Sequence, residues 1–166
     1  NIVLSAYGDY QSYQTPTKYV KAHDVITCKS LKLDILGPLK SYNNENNQSI
    51  VLQFNLSDQT FLFTGDIEKE AEYDLVSYYQ SRLKSDVLKI AHHGSNTSST
   101  DLFLSFVYPK IAIISLGYNN KFGFPHDDVL DRLNISRTKI YRTDYNGTII
   151  FLPSKKKEKW LTYIPY

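Results

Sequence analysis

One aspartate and three histidines carry the chemistry open to this sequence. Asp66 ends Thr64-Gly65-Asp66, where a strand-like run meets a long helical one. An ionised Asp offers hard oxygens to a divalent cation. It is equally a preferred N-cap, accepting from the free N–H groups of a helix start. His92 and His93 stand side by side in Ala91-His92-His93-Gly94-Ser95-Asn96. Imidazoles there can bind metal, donate to a phosphate oxygen or pass a proton near neutral pH. Two solvated loop histidines would read the same way. Adjacent side chains diverge in extended backbone, so one ion is not expected to take both. His126 lies in Gly123-Phe124-Pro125-His126-Asp127-Asp128. It could ligate a metal with Asp127 or Asp128 orienting its ring, or simply precede a first turn made acidic for the helix dipole. His23 has no partner nearby in sequence and reads as structural or exposed.

The elements that must position these groups alternate along the chain. Short β runs are expected at 2–4, 18–21, 24–28 and 31–36, then a loop rich in asparagine over 37–48. Ile50, Leu52, Phe54 and Leu56 alternate with polar neighbours, and Ser57-Asp58-Gln59 turns the chain into a second strand over 60–64, a hairpin. A helix over 67–84 follows, with Ile67, Ala71, Leu75, Tyr78, Tyr79 and Leu83 as its apolar stripe and Glu68, Glu70 and Glu72 crowding its start. Strands at 87–90, 111–115, 140–142 and 148–151 alternate with helices at 100–107 and 128–133. Such alternation predicts an α/β or α+β sheet with helices packed on it. Asn146-Gly147 reads as a tight turn between the last two of these strands. Lys155-Lys156-Lys157-Glu158-Lys159 reads as a charged turn before a final strand at 160–164. Asp66, His92-His93 and His126 each follow a separate β element, as a site assembled from rigid parts requires.

Composition narrows the classes. The 166 residues, 42% hydrophobic and 22% charged, suit one globular domain spanning 1–166. A net charge of +2 is too small to argue for a polyanion partner by itself. No apolar run approaches the roughly 20 residues of a membrane-spanning helix. Cys28, alone, excludes an internal disulfide framework and reads as a small core residue in Val25-Ile26-Thr27-Cys28. No phosphate-cradling glycine loop, nucleophile elbow or paired cysteine for structural zinc is present. With no methionine and an opening Asn1-Ile2-Val3-Leu4 that is already strand-like, the chain is read as part of something longer.

Several segments, taken in order, resemble one family. They are Asn46-Asn47-Gln48-Ser49-Ile50-Val51-Leu52, Phe61-Leu62-Phe63-Thr64-Gly65-Asp66-Ile67-Glu68, Asp86-Val87-Leu88-Lys89-Ile90-Ala91-His92-His93-Gly94-Ser95, Pro109-Lys110-Ile111-Ala112-Ile113-Ile114-Ser115 and Tyr141-Arg142-Thr143-Asp144. Over roughly 31–151 they are similar to the C-terminal metallo-β-lactamase-like domain of ComEC-type DNA-internalisation competence proteins. That resemblance implies an αββα sandwich, represented by its C-terminal half, with a zinc or manganese site at one edge of the sheets. It implies Asp66 as a metal-bridging carboxylate and His126 as a terminal ligand, although family members often have His where this chain has Phe124. His93, and after it His92, would contact phosphate and protonate the leaving group, with Ser95, Asn96, Lys156 and Lys157 at the phosphate or DNA. The His-x-His-x-Asp-His type motif that supplies the fold's principal ligands does not occur in this chain. Two ligands do not close a catalytic zinc site, which needs about three, so weak metal binding and little hydrolysis are expected of the chain alone.

Three functions follow from these readings. The first is part of a nuclease-like hydrolase acting on single-stranded DNA during uptake, the extracytoplasmic, soluble domain of a larger bacterial membrane protein. The second is a stand-alone phosphoesterase of the same fold, then cytoplasmic. The third is a degenerate domain that binds DNA or a partner without chemistry, with Lys155 to Lys157, Lys159 and Trp160 touching phosphates and a base.

Overall fold

The computed structural model describes residues 2–8, 17–154 and 159–164. Its centre is a seven-stranded mixed sheet, in the spatial order β3 (Val25–Cys28), β4 (Leu31–Gly37), β5 (Val51–Leu56), β6 (Gln59–Phe63), β7 (Val87–Lys89), β8 (Ile111–Ile114) and β9 (Lys139–Arg142). The first four strands run antiparallel. The β5–β6 hairpin pairs Leu56 with Gln59 across Ser57-Asp58, and Ser57 takes the positive φ of 56° that so short a turn needs. From β6 onward the pairs are parallel. Parallel neighbours need crossovers, supplied by α1 (Lys69–Tyr79), α2 (Asp101–Val107) and α3 (Asp127–Ile135). The mixed α/β arrangement expected from the strand–helix alternation is therefore present.

Side-chain alternation sorts the two faces of the sheet. Leu62, Leu88 and Ala112 are cross-strand partners with no exposure, and all three join the cluster packed by Leu75, Phe103, Val129 and Leu133 of the helices. Burial at about 25 cal/mol per Å² makes this face the main source of stability. The opposite face carries aromatic residues. Phe61 packs on Phe151 and Trp160 at centroid distances of 5.2 and 6.3 Å, and Tyr141 stacks on Trp160 at 5.8 Å. Phe151 and Trp160 belong to a separate antiparallel ladder of β10 (Thr148–Leu152) and β11 (Lys159–Tyr163). A parallel ladder of β1 (Ile2–Ser5) and β2 (Thr17–Val20) is also separate. Among the described residues no helix is long and apolar enough to cross a membrane.

Five local expectations are corrected or refined. Cys28 is exposed, because β3 is the edge strand and only its neighbour β4 covers it. The helix begins at Lys69 with Glu68 as its N-cap, so Asp66 caps nothing. It ends at Tyr79 before the 3₁₀ turn Gln80–Leu83, and its buried face is Ala71, Glu72, Leu75, Val76 and Tyr79, which leaves Tyr78 60% exposed. Asn146-Gly147 does turn the chain between β9 and β10, with Gly147 at φ 65°, but as the end of the short helix α4 (Thr143–Asn146), and β10 pairs with β11 instead of β9. Trp160 is half-buried among Phe61, Tyr141 and Phe151, which occupies the ring considered for base stacking.

Candidate functional site

The parallel register assembles the site. Phe63 pairs with Lys89 and Lys89 with Ile113, so β6, β7 and β8 end in one row. Asp66, His93 and Ser115 lie a few residues beyond that row, at the carboxyl ends of parallel strands, where open α/β sheets place their crevices. Two glycines let the loops come together. Gly65 has φ +59°, and a Cβ there would meet Ser49 Cβ at 2.6 Å. This closeness lets the Asp66 amide donate to Ser49 Oγ at 3.0 Å. Gly94 has φ +85°, and its Cβ would meet Pro125 Cβ at 2.5 Å. His92 and His93 before it also have positive φ, 46° and 56°, giving three consecutive left-handed residues. Such strain in non-glycine residues gathers at functional turns.

The turn directs the two imidazoles to two different carboxylates. His93 Nε2 lies 3.6 Å from Asp66 Oδ1, and His93 Nδ1 lies 2.5 Å from the Ser115 carbonyl oxygen. A carbonyl can only accept, so Nδ1 carries a proton and Nε2 is the nitrogen turned toward Asp66, where a second ring proton would complete an ion pair. Both residues line a cleft of about 520 Å³ with His92, Leu116, Asn120, Phe122 and Phe124. His92 Nδ1 instead lies 3.4 Å from Glu68 Oε1 and 3.4 Å from Thr97 Oγ1. Glu68 also accepts from the side-chain amides of Asn44 and Asn46, each at 3.0 Å, while Asn47 Oδ1 accepts from its backbone N–H at 2.7 Å. The asparagine-rich loop thus has the job of fixing Glu68. Sequence reasoning missed this, although the density of asparagines was its signal.

The remaining expected residues fall outside that cleft or turn away from it. His126 Nδ1 accepts from the Asn96 N–H at 3.0 Å, so the proton of its neutral ring sits on Nε2 and its one lone pair is engaged. Its ring meets Phe124 edge-on at 5.2 Å, and Phe124 meets His92 at 5.7 Å. The Ser95 hydroxyl, in a residue 4% exposed, faces Thr97 Oγ1 at 3.0 Å, and Asn96 is exposed. Lys156 and Lys157 lie outside the described residues.

Two charged side chains, the half-buried Lys89 and the buried Glu72, support the loops. Lys89 Nζ donates to the carbonyls of Gly65 at 3.2 Å and Ile90 at 3.1 Å, and stands 4.0 Å from Asp66 Oδ1. Burial holds its ammonium below the usual lysine range, against the opposing pull of Asp66. Glu72, with no exposure, accepts from the N–H groups of Ser99 and Thr100 and from the Thr100 hydroxyl. Burial pushes its carboxyl up, more than these donors and Arg132 pull it down. It ties α1 to the segment that follows the two histidines.

The donor types suit a first-row divalent ion, since an imidazole with its far nitrogen tied to a carbonyl faces a carboxylate. The donor number does not. Asp66–His93 and Glu68–His92 remain separate pairs, and among the described residues no three His, Cys, Asp or Glu side chains group closely enough to hold a metal. The residues present therefore do not constitute a catalytic metal centre.

No protein-family model matches the chain. Curated proteins similar to it include ComE operon protein 3 of Bacillus subtilis (strain 168), 37% identical over 148 residues, which are 89% of this chain and 19% of that protein. Competence protein ComA of Neisseria gonorrhoeae is 38% identical over 119 residues, 71% of this chain and 17% of that protein. Recombination protein 2 of Haemophilus influenzae is 34% identical over 122 residues, 73% of this chain and 15% of that protein. The chain thus spans at most about a fifth of the length of these relatives.

Proposed function

Since this chain belongs to the ComEC-type competence proteins, we propose that it is the C-terminal part of a metallo-β-lactamase-like domain that hydrolyses phosphodiesters of single-stranded DNA during uptake. One observation carries the reading: His93 Nε2 lies 3.6 Å from Asp66 Oδ1 in an open cleft, with its ring held by Ser115. In hydrolysis, water oxygen bonds to phosphorus and releases a proton to solvent as the P–O bond to one sugar breaks. The departing alkoxide then needs a proton. A protonated His93 supplies it from Nε2 and returns to the neutral tautomer that Ser115 selects. Preorganisation by a backbone carbonyl avoids reorienting the ring during the reaction. Zinc or manganese belongs to this reading only with donors from outside the described residues. The rest of a membrane-embedded protein, with this domain outside the cytoplasm, belongs to the same proposal.

The experiment is cleavage of a labelled single-stranded oligonucleotide by the domain containing this chain. His93→Ala and Asp66→Ala are each expected to lower the rate by at least about 100-fold, the usual scale of general acid–base catalysis. Undiminished cleavage in both variants refutes the assignment. A second reading, a domain that binds DNA without cutting it, is favoured by the lack of a third donor beside Asp66 and His93 among the described residues. It predicts affinity that falls with salt, survives chelation and is accompanied by no cleavage.

A further inference from the structure

Phe122 and Phe124 form a wall of the His93 cleft that burial does not explain. Their rings stack at 5.5 Å and 19°, yet Phe122 is 62% exposed. Tyr118, at the other end of the same loop, is 80% exposed, and the nearby Tyr145 is 61% exposed. Lys121 Nζ lies over the Phe122 ring, 5.1 Å from its centroid, which sets a positive charge against the wall itself. An exposed apolar loop would ordinarily gain freedom by loosening, but this one is tied down. Asn120 Oδ1 accepts from the Phe124 N–H at 3.0 Å, and Asn120 Nδ2 donates to the Phe124 carbonyl at 2.8 Å and the Gly117 carbonyl at 3.4 Å. Asn120 thus holds the loop as a rigid display of its rings.

The cleft has two chemically different ends, the Asp66–His93 pair and the Phe122–Phe124 wall, in about 520 Å³. That volume suits a ligand of one or a few small rings. A matching ligand carries a group that reacts with imidazole at one end and a flat apolar ring a short distance away, with anionic charge to meet Lys121. We propose that Phe122 and Phe124 are a stacking platform for an unpaired base of the single strand whose phosphodiester lies at His93. This deepens the hydrolase reading and takes its substrate class from it. Stacking accepts any base, so the platform selects for unpaired strand rather than for sequence. A base inside a duplex presents only its edge.

The test is fluorescence anisotropy on the whole chain with two labelled probes, oligothymidylate and an abasic oligomer of the same length and backbone charge. Oligothymidylate is expected to bind more tightly. Phe122→Ala is expected to weaken it by about 5- to 150-fold, corresponding to about 1–3 kcal/mol for one stacked base, while leaving the abasic probe unchanged. Phe122→Trp is expected to restore or exceed the original affinity. Because Phe122 is mostly solvent-exposed, neither substitution removes core packing. Equal binding of the two probes, or equal losses on both from Phe122→Ala, overturns the platform and would leave the exposed rings to a protein partner. The assay needs no turnover. Base-dependent binding by the chain, with no cleavage by the domain that contains it, refutes the hydrolase reading alone, and cleavage by that domain with base-independent binding refutes the platform alone.

Discussion

Replacing Glu72 by Gln tests whether a buried carboxylate holds the loop that carries the two histidines. One carboxylate oxygen accepts from the Ser99 N–H, the other from the Thr100 N–H and hydroxyl. A glutamine has one acceptor oxygen, so in its better orientation it keeps the Thr100 pair and turns NH₂ toward the Ser99 N–H. A lost hydrogen bond to a charged group is worth about 1.5–3 kcal/mol, and a stranded buried N–H costs about 1–3 kcal/mol. A neutral amide avoids the desolvation that raises the Glu72 carboxyl, which offsets part of this loss. The expected net loss is about 2 kcal/mol, or roughly 4–8 °C in Tm for a chain of this size. Glu72→Ala, which strands all three donors, should cost about 3–5 kcal/mol. Urea unfolding followed by circular dichroism measures both. The pH dependence adds a sign. With its folded pKa raised, Glu72 binds its proton more tightly folded than unfolded, so its contribution declines as pH climbs from the ordinary carboxylate range through the raised value. Glutamine has no such decline, and the gap between the two proteins should narrow with rising pH. A Gln variant within about 0.5 kcal/mol of the original at every pH would refute the reasoning, because that is the scatter of a surface substitution.

Three further outcomes follow from the structure. Gly94→Ala forces a side chain into φ +85° and against Pro125, so a loss of about 2 kcal/mol or more is expected in thermal unfolding. The Tyr79 hydroxyl is buried with no hydrogen-bond partner among the described residues, so Tyr79→Phe should be neutral or stabilising by up to about 1 kcal/mol. Burial pushes that phenol up to about 12, so the stability it retains as a neutral group should fade as pH rises from about 10 toward 12, a loss absent from the Phe variant in alkaline urea titrations. Asp86 is pushed up by burial but pulled down further by Lys110 and the Thr60 amide, ending below the usual carboxylate range. Its contribution is present above the ordinary Asp value and lost as pH falls through the depressed one. Asp86→Asn should therefore flatten the acid limb of the stability profile.

Much of the scaffold was legible from local pattern. The alternation from Ile50 to Leu56 and the turn at Ser57-Asp58 announced the β5–β6 hairpin. The helix read over 100–107 is α2, where the Thr100 hydroxyl accepts from the Phe103 N–H at 3.3 Å. The site was legible only in its residue types. Asp66 and His93 stood out as polar groups at strand ends, but Glu68 passed for a dipole-matching acid, and the contacts of Phe124 with His92 and His126 were not legible. Adjacent histidines were expected to diverge by strand alternation. They diverge instead through consecutive left-handed residues, which no propensity of histidine foretells.

The amino-acid order determined which segments are strands, which are helices and which loops carry ionisable groups, because those choices depend on neighbours a few residues away. Only the tertiary structure decided that Asp66 faces His93, that Glu68 takes His92 and that Asn96 engages His126. Those meetings depend on parallel register between strands more than twenty residues apart and on glycines whose close contacts come from distant segments. Long-range pairing is set by packing across the whole sheet, and a local window of sequence does not contain it.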